Sequence, residues 1–364
     1  MVCPNMPRAA QNFPSTSAEL LSDTGIDLRL HQCDFCGLVQ FGCETVSYYR
    51  EVIRAGGETS TMRELRQQQY GEFIESCDLY GKKILEVGCG CGEFLEFLKP
   101  FNVVPYGIEH KVESVMKAQA LGLNVRQGYI DSEACTVDDA PFDAFLSFNF
   151  LEHQPDPNGM LKGIFRNLTA EGCGLITVPS FEYIIENHGF YELIRDHLAY
   201  FTKETFTFVL NQNGFEIAEL KIVNGDTWAA IVRKRRPTDI GQMKENFARL
   251  STTLNRYVDS YCESGKKVAV WGASHQGLTA IATSGVGPKI SYIIDSAVFK
   301  QNKFAPASHV KICSPKHFFV EPVDAIIIMA PGYTNEISNL IRREFGTAVD
   351  IAVLKSKTLE KLEI

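Results

Sequence analysis

Asp196 and His197 stand side by side in the stretch YELIRDHLAYFTKETF, residues 191–206, among aromatic residues and outside any amphipathic pattern. Histidine changes its charge near neutral pH and is the usual general base, so such a pair can do proton transfer. Asp196 could hold a neighbouring group, although adjacent side chains seldom point the same way. Tyr200 and Phe201 follow at once, a phenol donor and an aromatic wall. The plainer reading makes His197 a cap or core residue ahead of a helix starting at TKETF, and these residues alone leave both readings open.

A second constellation is LEVGCGCGEFLEFL, which sets Glu86, Gly88, Cys89, Gly90 and Gly92 between an apolar strand and a helix. Glu109 ends the next strand, 17 residues after Gly92. Glycines there let a ligand approach the backbone, and an acid at that distance suits ribose hydroxyls. A nicotinamide dinucleotide would want a glycine where Glu93 stands. A carboxylate at a helix start repels a pyrophosphate, whereas S-adenosylmethionine (SAM) has no phosphate and carries a sulfonium. Charge therefore selects SAM, and the bland alternative is a tight turn.

The spacing also resembles the class I SAM-dependent methyltransferases, whose first motif is ExGxGxG, here residues 86–92. FDAFLSFNFLEHQPDP resembles their fourth-strand motif, with Asn149 at the strand end and Glu152, His153 and Pro157 after it. With the hairpin GFEIAELKIV, NGD, TWAAIVRKR, the resemblance covers residues 71–235. It implies that Glu86, Gly88, Cys89, Gly90, Gly92, Glu109 and Asn149 contact the cofactor. Glu152 and His153 are equally well read as polar residues that order a loop.

Two further features are local. VWGASHQG spells GxSxxG through Gly272, Ser274 and Gly277, with Asp295 ending the next strand 18 residues later. Serine at the middle position puts a side chain where a pyrophosphate needs bare backbone, which argues against NAD. His275, Gln276, Lys300 and Gln301 gather near this sheet's mouth in sequence, where open α/β sheets bind ligands, and are candidate substrate contacts. Cys33 and Cys36 form a CxxCG knuckle suited to zinc, with Cys3 the upstream candidate third ligand and Cys43 a substitute. An idle turn of buried thiols is the alternative.

The elements that must position these groups alternate. Apolar strands and amphipathic helices succeed one another from residue 61 to about 240, and the pattern restarts after the polar linker near Pro237. Such alternation predicts an α/β protein: a doubly wound sheet with a second Rossmann-like α/β domain after it; the CxxC hairpin stands ahead of both as a small lobe, of zinc type if the knuckle is filled. The expected boundaries are 1–60, 61–240 and 241–364. A chain of 364 residues, 45 % hydrophobic and 22 % charged, is long enough for roughly two to three cores. Net charge of −8 excludes a basic nucleic-acid face. No run of about 18 apolar residues exists to cross a membrane. The start, MVCPNMPRAAQNFP, has neither a secretory nor a transit character, so a cytoplasmic location is expected. Eleven scattered cysteines suit reduced thiols.

Knuckle, SAM domain, Asp-His pair and second α/β domain, in this order, resemble the sugar C-methyltransferase family. That resemblance implies methylation of a carbon beside the keto group of a nucleotide-linked deoxysugar, with SAM as cofactor, zinc in the first lobe and a last domain that helps hold the substrate. It places Asp196 and His197 where the family's Glu-His pair carries the base. A carbon nucleophile must lose a proton before it attacks a methyl group, and the resulting enolate oxygen needs donors or a cation; Tyr200 and His275 are the candidates. The chain departs from the family in its Asp for Glu, in Arg195 before it, in its generic glycine loop and in the incomplete cysteine set. Rival functions are O- or N-methylation of another small metabolite, an NAD-dependent oxidoreductase built on the second glycine loop, and a sugar-nucleotide binding protein without catalysis.

Overall fold

Short alternating stretches open the chain as β1 (Val2–Met6), β2 (Ile26–Gln32) and β3 (Val39–Phe41), paired antiparallel, with α1 (Ser17–Ser22) between the first two. The molecule is seen here as a computed structural model that describes residues 1–51 and 59–362. Next come α2 (Ser60–Cys77), β4 (Lys83–Val87), α3 (Glu93–Glu96), β5 (Val104–Glu109), α4 (Val112–Ala120) and β6 (Val125–Gln127). They are followed by β7 (Phe142–Phe148), α5 (Pro157–Arg166), β8 (Leu168–Pro179), α6 (Phe181–Glu186), β9 (Ala199–Tyr200) and α7 (Lys203–Gln212). The hairpin β10 (Phe215–Val223) and β11 (Thr227–Lys234) completes this half, its reversal made by Asn224 and Gly225 at φ of 53° and 82°.

The large sheet has the order β10-β11-β8-β7-β4-β5-β6, parallel from β8 through β6 and closed by the antiparallel hairpin. Its central strands are apolar on both faces because helices cover both. Leu85 and Val87 of β4 enter one core with Phe145, Ile176 and Phe206, while Ile84 enters the other with Tyr70, Phe73 and Leu146. Sequence chemistry also starts the helices: Asp156 caps α5 ahead of Pro157, and Thr202 caps α7 through the N–H of Thr205.

The first strands form a small antiparallel sheet of their own, with one strand drawn from beyond residue 60. β3 pairs with β9, giving a four-stranded sheet β1-β2-β3-β9, and the compact unit runs over Met1–Pro237. The other unit, Thr238–Ile364, contains α8 (Gly241–Cys262), β12 (Val268–Trp271), α9 (His275–Ser284), β13 (Ile293–Ile294), β14 (Ile312–Cys313), β15 (Ala325–Ile328), α10 (Thr334–Glu344), β16 (Asp350–Leu354) and β17 (Leu359–Lys361). Its sheet has the order β14-β13-β12-β15-β16-β17, parallel except for β17. Among the described residues no helix is long and apolar enough to cross a membrane.

Gly174 of β8 lies opposite Phe145 of β7, and a Cβ there would overlap the phenyl ring. Gly174→Ala is expected to destabilise the first unit by about 1–3 kcal/mol through overpacking. Urea unfolding followed by circular dichroism should show a lower midpoint; an unchanged midpoint would mean the ring can move aside.

Candidate active site

β4 ends in a loop whose Gly88, Gly90 and Gly92 have φ of 71°, 57° and 88°. Such angles favour glycine and leave backbone bare where a ligand can approach. The loop is tied to β5: the N–H groups of Gly88 and Cys89 donate to the carbonyl of Ile108 at 3.0 and 3.2 Å. Glu109, buried at the end of β5, accepts from the N–H of Gly90 at 3.0 Å and of Lys111 at 2.9 Å. Its carboxylate is thereby fixed beside the glycine turn. α3 is a single turn that opens with Glu93, so the loop leads into negative charge. Asn149 ends β7 at φ 44°; its Oδ1 accepts from the Thr177 hydroxyl at 2.6 Å.

One turn beyond Asn149, the backbone winds through Leu151–His153 and delivers Glu152 and His153 to a cavity of about 420 Å³. Phe94, Phe148, Asn149, Tyr48 and His197 line it as well. His153 Nδ1 lies 2.8 Å from the carbonyl of Asp196. A carbonyl only accepts, so Nδ1 carries the proton and Nε2 keeps its lone pair. The rings of His153 and His197 meet edge to face, with centroids 4.7 Å apart. Glu152 is 1 % exposed, and neither carboxylate oxygen has a hydrogen-bond partner. Burial pushes its carboxyl up to about 8. Burial also lowers His153, and it drives His197 down to about 3 with help from the neighbouring His153. Both imidazoles are therefore neutral at neutral pH, and His197 is a far weaker proton acceptor than the base near neutrality that its chemistry asked for.

A methyltransferase domain model matches residues 62–220, and a C-methyltransferase C-terminal domain model matches residues 235–348. The chain joins a class I SAM methyltransferase domain to a C-methyltransferase C-terminal domain. Among curated proteins it is 33 % identical over 104 residues to a ubiquinone biosynthesis O-methyltransferase of Pseudomonas fluorescens, covering 27 % of this chain and 44 % of that one. A protein of the same description from Coxiella burnetii is 35 % identical over 96 residues, covering 25 % and 41 %. The chain thus spans less than half the length of these relatives. The crystal structure of a SAM-dependent methyltransferase from Clostridium acetobutylicum overlaps 48 % of this chain and 92 % of its own, at 14 % identity and a TM-score of 0.40.

Within the methyltransferase domain the Asp-His pair divides. The carboxylate of Asp196 turns away from catalysis and takes hydrogen bonds from the Tyr48 hydroxyl at 2.6 Å and the Ala10 N–H at 2.9 Å. Arg195 beside it donates to the carbonyls of Arg8 and Glu44. The segment around Ala10 and Tyr48 is thereby held as a wall of the cavity. Tyr200 does not face the cavity. Its hydroxyl accepts from the N–H of Ile194 at 2.8 Å and donates to the carbonyl of the same residue at 3.1 Å, while its ring packs on Phe41 and Phe181. The donor role expected of it does not hold, because both ends of that hydroxyl are engaged in a core. Glu152 and His153 came to notice in the sequence only as part of the strand motif; Ala10, Tyr48 and Phe94 carried no signal at all.

In the C-terminal unit the four candidate substrate residues separate into pairs. His275 and Gln276 are exposed at the start of α9 and line a cavity of about 390 Å³ with Met243 and Phe247. Lys300 donates to Asp295 Oδ2 and to the carbonyl of Ala273, both at 3.0 Å, and Gln301 donates to the carbonyl of Asp295. Those two side chains hold the glycine loop and the strand end instead. Asp295 accepts from the N–H of Ala273 and Ala297 and is neutralised by Lys300, which leaves it a poor partner for a ribose.

The cysteine set fits a closed zinc site poorly. Cys33 and Cys36 face each other across a turn, and N–H donors from Cys36 and Phe35 lower the Cys33 thiol. Cys3 lies in the core near Tyr200 instead. Among the described residues the one group of three or more His, Cys, Asp or Glu able to meet at a point is Glu152, His153 and His197.

Two outcomes follow for this site. Asp196→Ala strips the acceptor from Ala10 and Tyr48 and should lower stability by about 1–3 kcal/mol, with the N-terminal residues exchanging amide hydrogen faster by mass spectrometry. Unchanged exchange there would show that Arg195 alone holds the wall. Gly90→Val forces a branched side chain into a left-handed backbone on the ligand's approach path. S-adenosylhomocysteine binding by calorimetry should then be lost; retained affinity would move the cofactor elsewhere.

Proposed function

We propose that the protein transfers a methyl group from SAM to a carbon beside a carbonyl, in a nucleotide-linked deoxysugar. The observation that carries this reading is the cavity in which Phe94, just after the glycine loop, and Asn149 meet a cluster of one buried carboxyl and two half-buried histidines. Methylation of oxygen or nitrogen asks little of such a cluster, whereas a carbon acid must first give up its proton. The C-methyltransferase C-terminal domain and the resemblance to the sugar C-methyltransferases support the substrate class.

The cofactor, when bound, supplies an electrophilic methyl on its sulfonium. The backbone of Gly88, Cys89, Gly90 and Gly92, the acids Glu86 and Glu109, and Asn149 are the proposed holders, with Glu109 on the ribose. Phe94, Phe148 and Tyr48 wall the reacting centre and keep water from competing for the methyl group. Deprotonation is assigned to the cluster of Glu152, His153 and His197 as a unit, with His153 held in one tautomer by the Asp196 carbonyl.

His197→Gln is expected to lower turnover by roughly 10² to 10⁴ with little change in cofactor affinity. A sharper readout is exchange of the substrate's α-hydrogen for deuterium in the presence of S-adenosylhomocysteine, seen in the parent protein and lost in the variant. Near-normal turnover in the variant would favour O- or N-methylation. The acceptor itself is found by which sugar nucleotide raises the melting temperature of the S-adenosylhomocysteine complex.

A further inference from the structure

We propose that Glu152, His153 and His197 form a binding site for one divalent transition-metal ion at the floor of the cavity. One ligand atom from each of these three residues lies within 4.8 Å of the other two. Glu152 is the decisive member. A carboxylate 1 % exposed with both oxygens unpartnered is expensive to keep in a fold, and such groups are normally bonded, protonated or bound to a cation. Its neighbour offers no proton: His153 gives its Nδ1–H to the Asp196 carbonyl, so Nε2 presents a lone pair to Glu152 Oε1 across 3.9 Å. At that distance the two groups make no hydrogen bond, and among the described residues no cation pairs with the Glu152 carboxyl.

The supporting structure is that of a metal centre. A ligating histidine usually donates its other ring N–H to a carbonyl or carboxylate, which fixes the ring and its tautomer, and the Asp196 carbonyl does this for His153. The two ligand-bearing segments are bolted together by the Leu198 N–H, which donates to the carbonyl of Glu152 at 2.8 Å. Two imidazoles and one carboxylate suit zinc, cobalt, iron or manganese better than the oxygen-loving magnesium and calcium. Three protein ligands leave positions open toward the cavity.

What the ion would do rests on the carbon-methylation reading. The enolate oxygen needs a donor or a cation, and the Tyr200 hydroxyl is already engaged by Ile194. A cation beside the carbonyl supplies that charge. In the loaded protein His197 is a ligand. Hydroxide on the ion would take the α-proton and become water; the C–H pair would form the enolate C=C as the carbonyl π pair moves onto oxygen, and on its return the carbon would take the methyl as the C–S bond breaks, leaving a thioether.

The test is metal binding to full-length protein, stripped with a chelator, dialysed and titrated with Co²⁺ and then Zn²⁺. A Cys33→Ser/Cys36→Ser background removes the knuckle as a competitor. One equivalent of Co²⁺ with visible d–d absorption is expected, displaced by Zn²⁺. Glu152→Gln and His153→Gln should each weaken it by more than ~10-fold, with S-adenosylhomocysteine binding retained as evidence of folding. The proposal is overturned if no stoichiometric Co²⁺ or Zn²⁺ binds, if binding disappears with the cysteines, or if Glu152→Gln binds as tightly as the parent, which would mean that the carboxyl is simply protonated. Metal bound as described without α-hydrogen exchange or carbon methylation leaves the site standing and removes the carbon-methylation reading; carbon methylation by metal-free protein does the reverse.

Discussion

One carboxylate, that of Asp196, accepts the N–H of Ala10 and the hydroxyl of Tyr48 across 186 and 148 residues of chain. Its backbone carbonyl, a few bonds away, receives the Nδ1–H of His153. The same residue therefore closes the cavity wall and sets which nitrogen of His153 faces inward. Burial of Tyr48 against this acid pushes its phenol up to about 12, so the hydroxyl stays a donor throughout the physiological range. Neither bond would survive a shift of β9 relative to β3, and the pairing of those strands is what locks the segment in register.

The two halves of the chain use one backbone device for different ends. In each, an acid at the end of the second strand accepts an N–H from the glycine loop and another from two residues further on: Glu109 with Gly90 and Lys111, Asp295 with Ala273 and Ala297. In the second unit Lys300 reaches back to Asp295 and to the loop carbonyl, converting a potential ribose site into an internal ion pair. This weighs against the dinucleotide reading of that unit.

Desolvation sets the character of the cluster at the cavity floor. It raises an acid and lowers two bases, so all three groups are pushed toward their neutral forms. A carboxyl and two imidazoles assembled this way are poor as a free acid–base pair near neutrality. They are well placed to gain from any positive charge that enters with the ligands.

Local chemistry was enough to locate the first glycine loop, the strand ends near Glu109 and Asn149, the NGD reversal and the alternation that builds two α/β units. Each depends on residues within a turn or a strand of one another: glycine for a left-handed angle, apolar runs for strands covered on both faces. The fates of Tyr200, Asp196, Cys3 and Lys300 were not legible, because the element type of a segment does not say which way a polar tip points or what meets it. Tyr200 turned into the core when β9 joined β3. Asp196 and His197, adjacent in the chain, parted because neighbouring side chains leave the backbone in different directions. The grouping of Glu152 and His153 with His197 needed the fold itself: contacts over more than 40 residues exist only once the sheet has brought two loops to the same edge.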